Sequence, residues 1–111
     1  MQFVALIYNL ENYADVDMSE LMQQYREFGR EAKNAGVIVT GEALQESNTA
    51  RSLKVREGES IIEQGPVKDG TQQLGGYYVL ECESMDSALQ WAAKIPSARY
   101  GTIEVRPTIN L

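Results

Sequence analysis

Any acid-base or ligand-binding chemistry in this chain has to come from carboxylates, Lys, Arg and Tyr, because its 111 residues include no histidine and a single cysteine. Imidazole-based triads and His-containing zinc sites are excluded, as is a thiolate metal cluster, and no cofactor is expected. Four residues are the candidates for a small-molecule cleft: Glu42, Asp69, Arg99 and Glu104. Glu42 follows the second strand in Gly41-Glu42-Ala43, where strand ends meet the mouth of a cleft. Partly buried near Arg51 or Arg99, it would act as a general base or polar anchor. The competing reading is a surface glutamate beside a glycine that makes a bend. Asp69, in the loop before a glycine pair, suits a metal or a ligand hydroxyl, but the turn chemistry that Asp supplies through its own backbone is the simpler account. Arg99 either clamps an anionic ligand with its guanidinium fork or forms a salt bridge of little energetic weight at a dimer rim.

Other reactive-looking groups have plainer readings. Asp15, Asp17 and Glu20 lack the internal glycine and terminal glutamate of a calcium loop, and helix capping accounts for them. Cys82 lies between Glu81 and Glu83, which disfavours a reactive thiolate. Gly75-Gly76 precedes a strand, so it is a bulge or close backbone contact and not a phosphate loop. Tyr8, Tyr77, Tyr78 and Trp91 are core or interface aromatics, one or two of which are placed to line a pocket. Met18, Met22 and Met85 read as core fillers.

Composition narrows the class. The length allows one domain, 1–111, and 43% hydrophobic with 23% charged residues is ordinary globular usage. A net charge of -6 opposes the clustered cations that nucleic acid requires and the attraction that anionic lipid requires. The apolar opening Phe3–Tyr8 has no preceding Lys or Arg and reads as a strand, and no run approaches the roughly 20 apolar residues of a membrane helix. One cysteine suits a reducing compartment, so the cytoplasm is the expected location.

Positioning these residues requires an ordered set of elements. Both alternate sets of the first strand are apolar, so it is expected to be covered on both faces. After a polar loop over 9–16, Leu21, Met22, Tyr25, Phe28, Ala32 and Ala35 mark one helical stripe, with Asp17 and Glu20 resembling a capping box and Gly36 at the end. Val37–Thr40 is a second strand closed by Gly41. A hairpin is expected over 52–56 and 60–63, and a strand over about 76–82. A second helix starts at Ser84 or Asp86, with Met85, Ala88, Leu89, Ala92, Ala93 and Ile95 inside and Pro96 at its end. A last strand covers 102–106, with Ile103 and Val105 on one face. Strand-helix-strand, hairpin, strand-helix-strand predicts an α+β, ferredoxin-like split βαβ sandwich with both helices on one face of an antiparallel sheet. The other face, with Tyr78 and Leu80 assigned to it, is too apolar for water. A second copy is the expected cover, burying about 2,000 Å² or more.

The chain resembles the YCII-related, or DGPF-domain, proteins over nearly its whole length. The resemblance rests on Leu6-Ile7-Tyr8, Ala35-Gly36-Val37 through Gly41-Glu42-Ala43-Leu44, Ser47-Asn48-Thr49-Ala50 and Gly65-Pro66. It continues through Gln73-Leu74-Gly75-Gly76-Tyr77-Tyr78, Ala88-Leu89-Gln90-Trp91-Ala92, Pro96 with Ala98-Arg99, and Gly101 with Ile103–Pro107. The resemblance implies a dimeric α/β barrel. The family's signature tetrapeptide stands here as Gln64-Gly65-Pro66-Val67, with an amide for its acid and an aliphatic for its aromatic. The His/Asp pair proposed as catalytic in the YCII-like branch has no counterpart in a chain without histidine. Three functions stay open: a homodimeric binder of a small molecule, a cofactor-independent enzyme using carboxylate or tyrosine, and an accessory regulatory module linked by the resemblance to sigma-factor signalling.

Overall fold

The computed structural model describes residues 1–110. Strand β1 (Gln2–Leu10) buries Phe3, Ala5, Ile7 and Asn9, while Val4, Leu6 and Tyr8 are half-buried on its other side. It runs past Tyr8, since its pairing with a neighbouring strand continues to Leu10. Helix α1 (Met18–Asn34) starts at Asp17, whose carboxylate accepts the Glu20 backbone N–H at 3.1 Å. The reciprocal half of a capping box is missing: the Glu20 carboxylate accepts from Gln24 instead. Gly36 takes φ +72° after the helix, the left-handed conformation that glycine adopts without penalty.

Strand β2 (Ile38–Ala43) does not close at Gly41 as expected but continues through it. A Cβ on Gly41 would lie 2.5 Å from Tyr78 Cδ1 and 2.8 Å from the Tyr77 carbonyl oxygen, so the glycine admits close packing and ends nothing. A 3-10 turn, Ser47–Thr49, leads to β3 (Arg51–Arg56) and β4 (Glu59–Gln64). Glu57 and Gly58, at φ +52° and +79°, make the two-residue turn between them. Strand β5 (Gln72–Glu81) begins earlier than expected, which puts the glycine pair inside it. Helix α2 (Met85–Ala92) is capped by Ser84, whose hydroxyl accepts the Ser87 N–H. Pro96 opens a 3-10 turn, Pro96–Arg99, before β6 (Thr102–Pro107). No helix among the described residues is long and apolar enough to cross a membrane.

The four-stranded sheet has the order β2-β5-β1-β6, antiparallel at every pairing, which is the ferredoxin-like arrangement. Its core joins Phe3, Ala5, Ile7 and Leu80 to Phe28 and Ala32 of α1 and to Ala88 and Ala92 of α2. The Phe28 and Tyr78 rings stand 5.3 Å apart at 56°. Tyr78 and Leu80 thus face the helices, opposite Ala5 and Phe3, and not the open side to which the sequence reading assigns them. The reason is that both alternate sets of β5 are apolar, so periodicity cannot choose between them. The open face carries Val4, Leu6, Tyr8, Tyr77 and Val79, none of them fully buried.

β3 and β4 form a separate two-stranded sheet. Leu53, Val55 and Ile62 share one of its faces and are 63%, 53% and 65% exposed. With this arm the chain spans 47 Å and has a radius of gyration of 15.8 Å, against about 13 Å for a compact chain of this length.

Candidate functional site

The N-terminal half of α1 stands away from the sheet, whereas its C-terminal half packs down through Phe28 and Ala32. Between that raised half and strands β2 and β5 lies a cleft of about 360 Å³. Met18, Leu21, Met22 and Tyr25 of α1 form one wall, and Gly41 to Leu44 with Gly75 to Tyr78 form the other. This accounts for the part of the α1 stripe that is not core: Met22 is 50% exposed because it faces the cleft mouth.

Asn9 and Ser97 make the polar floor. They are 7% and 3% exposed and are the only buried polar side chains among the described residues. The Ser97 hydroxyl meets the Tyr25 hydroxyl at 2.5 Å. Burial pushes the Tyr25 phenol above its ordinary range, with the Ser97 hydrogen bond opposing that shift, so Tyr25 is held as a neutral phenol. The Asn9 amide makes no side-chain hydrogen bond among the described residues, yet it is not among the sealed, unsatisfied groups; its polar atoms open on the cleft.

Two glycines make room for Asn9. A Cβ on Gly75 would lie 2.9 Å from Asn9 Oδ1, and one on Gly101 would lie 2.9 Å from Asn9 Cβ. Gly75 is also the surplus residue of a β-bulge, where Ile7 pairs with Gly76 and Tyr8 with Leu74. A second cleft of about 300 Å³ adjoins the first and shares Asn9, Tyr13, Leu21 and Ser97 with it. Its outer side is the segment from Leu10 to Val16. That segment is tied down by Glu11, whose carboxylate accepts both the Ser47 hydroxyl, at 2.5 Å, and the Ser47 N–H, at 2.6 Å. These two bonds hold the Glu11 carboxyl below its usual range.

Of the four candidate residues, Glu42 alone borders the first cleft, and its register opposite Tyr77 directs its side chain to the open sheet face. Asp69 sits in the turn before β5 and Arg99 at the exposed end of the Pro96–Arg99 turn; neither lines either cleft. Glu104 lies on the open sheet face, 2.5 Å from Arg106 Nε. Glu42, Tyr77, Leu6 and Glu104 are register neighbours in one row across that face, so the two carboxylates mark opposite edges of the sheet, roughly 14 Å apart. Sequence reasoning missed Asn9, Ser97 and Tyr13. Asn9 had a signal: one more period of the inward set Phe3/Ala5/Ile7 places a polar residue on the core side. Ser97 and Tyr13 had none, because only the chain path brings them to Asn9.

A ferredoxin-like α+β domain with a half-open, mostly apolar cleft beneath its first helix is the class these features define. The chain belongs to the YCII-related domain family, whose model matches residues 1–111. It is 32% identical over 93 residues to an uncharacterized protein of Rhizobium meliloti (strain 1021), covering 82% of this chain and 69% of that one. Its fold is similar to that of the 5-chloro-2-hydroxyhydroquinone dehydrochlorinase of Burkholderia phenoliruptrix AC1100, solved in complex with 2,5-dihydroxybenzoquinone. The TM-score is 0.58, the identity 14%, and the match covers 98% of this chain and 94% of that one.

Proposed function

We propose that this chain is a small-molecule-binding protein that works as a homodimer, with the ligand held beneath α1 and a second copy covering the open sheet face. The observation that carries the binding reading is the Asn9 amide on the floor of a mostly apolar cleft: among the described residues it makes no side-chain hydrogen bond, and its polar atoms open on the cleft. A ligand's polar atom that takes up this open donor and acceptor would gain about 0.5–1.5 kcal/mol per hydrogen bond. The cleft volume falls within the usual range for small-ligand sites. Dimerisation is supported by Val4, Leu6, Tyr8, Tyr77 and Val79, which form an apolar surface that neither helix covers.

A thermal-shift screen across neutral, cationic and anionic aromatic fragments tests the binding reading. A fragment at a hundred times its dissociation constant should add about 2.7 kcal/mol. Stabilisation that survives replacement of Asn9 by Leu, or no stabilisation by any fragment, would overturn it. Sedimentation should give twice the 12.4 kDa chain mass.

An enzymatic reading has one point in its favour: the protein of similar fold is a dehydrochlorinase of 5-chloro-2-hydroxyhydroquinone. Glu42 borders the cleft but directs its carboxylate to the open sheet face, so in this reading the acid-base role would fall to the Tyr25 hydroxyl, which meets Ser97 on the cleft floor. Tyr25→Phe should then abolish turnover of a substrate while leaving its binding intact.

A further inference from the structure

We infer that the two adjoining clefts are halves of one elongated site, and that its ligand is a cationic aromatic amine, with the ring beneath α1 and the ammonium end beside Asp15. This rests on the binding reading above and adds the ligand's shape and charge. Neither cleft has a Lys or Arg in its lining, whereas Asp15 stands in the lining of the second. An anionic ligand would meet no countercharge, and the chain's net charge of -6 repels it further.

The halves differ in what they offer. Apolar side chains dominate the first, with Ile7, Leu21, Met22 and Leu44 set to cover an aromatic ring. The second offers acceptors, yet Asn12 Oδ1 already accepts the Ala14 N–H at 3.1 Å, so the Asp15 carboxylate is left for a ligand donor. Asn9 sits where the two volumes meet, between the glycines that leave space for it, and its amide can both donate to and accept from the linking atoms of a ligand. With Ser97 and Tyr25 satisfying each other, Asn9 is the polar group at this junction that awaits a partner.

The test is an NMR titration of the full ¹⁵N-labelled chain with tyramine and with 3-(4-hydroxyphenyl)propanoate, which share a ring and differ in the charge of the end group. The Asn9 side-chain signal is assigned by its loss in Asn9→Leu. Tyramine should move the Asn9 side-chain signal, the backbone signals of Gly41 and Leu44, and those of Asn12 and Val16. The propanoate should bind about five-fold more weakly or worse, and Asp15→Asn should bring the two probes together, as expected for one exposed charge pair. Equal binding of both probes, discrimination that persists in Asp15→Asn, or shifts confined to Gly41 and Leu44 would overturn this inference and leave the binding reading standing. No shift at either cleft with either probe would overturn both.

Discussion

Two residues set testable limits on the site. Gly41→Ala would drive a methyl into the Tyr78 ring and the Tyr77 carbonyl; the ring can shift but the backbone oxygen cannot do so cheaply. The substitution should cost about 1–3 kcal/mol, read as a lower urea midpoint with an unchanged slope. Tyr78 is pushed up to about 12 by burial and, secondarily, by the nearby Tyr25. A raised phenol pKa means that the folded chain keeps its proton after the unfolded chain has lost its own near pH 10. The stabilising difference is therefore complete below pH 10 and is lost as pH climbs from 10 toward 12. Urea midpoints should fall across that window in the wild type and fall less in Tyr78→Phe. An ultraviolet titration should show the last of the six tyrosines ionising at its upper end.

At the scale of elements, helix ends were legible because capping is local. Asp17, Gly36 and Ser84 mark the boundaries that the sequence indicates, whereas α2 ends at Ala92, short of the Pro96 expected to stop it, and Pro96 opens the next turn instead. Asp17→Ala should cost about 1 kcal/mol by thermal unfolding. Strand ends were not legible, because a strand extends as far as its neighbours pair with it, and β1, β2 and β5 all outrun their apolar cores. The same limit hid the cleft. The stripe Leu21, Met22, Tyr25, Phe28 has one period along α1, and nothing in it says that the helix lifts from the sheet halfway. The β3–β4 arm was legible from its turn, and it has little beyond its own ladder to hold it. An isolated two-stranded sheet is marginally stable, so its amides should exchange with deuterium much faster than those of β1 and β5.

For the whole molecule, the ferredoxin-like order follows from the succession of elements, whereas the identity of the inner face of β5 depended on pairing that the sequence does not display. The open face centres on Leu6, flanked by Tyr77 and Glu104 in the same row. Leu6→Asp should convert the proposed homodimer to a folded monomer, seen as a halved sedimentation mass with an unchanged far-ultraviolet spectrum; retention of the dimer would place the interface elsewhere. The bulge at Gly75 sets whether this molecule is hollow. With Gly75 looped out as the surplus residue, Leu74 pairs with Tyr8 on the open side; were the ladder to run without the bulge, Gly75 would pair with Tyr8, and Leu74 would pair with Asn9 and point beneath α1. A fifth strand that paired straight through that glycine would fill the cavity with a leucine and exchange a receptor for a packed interior.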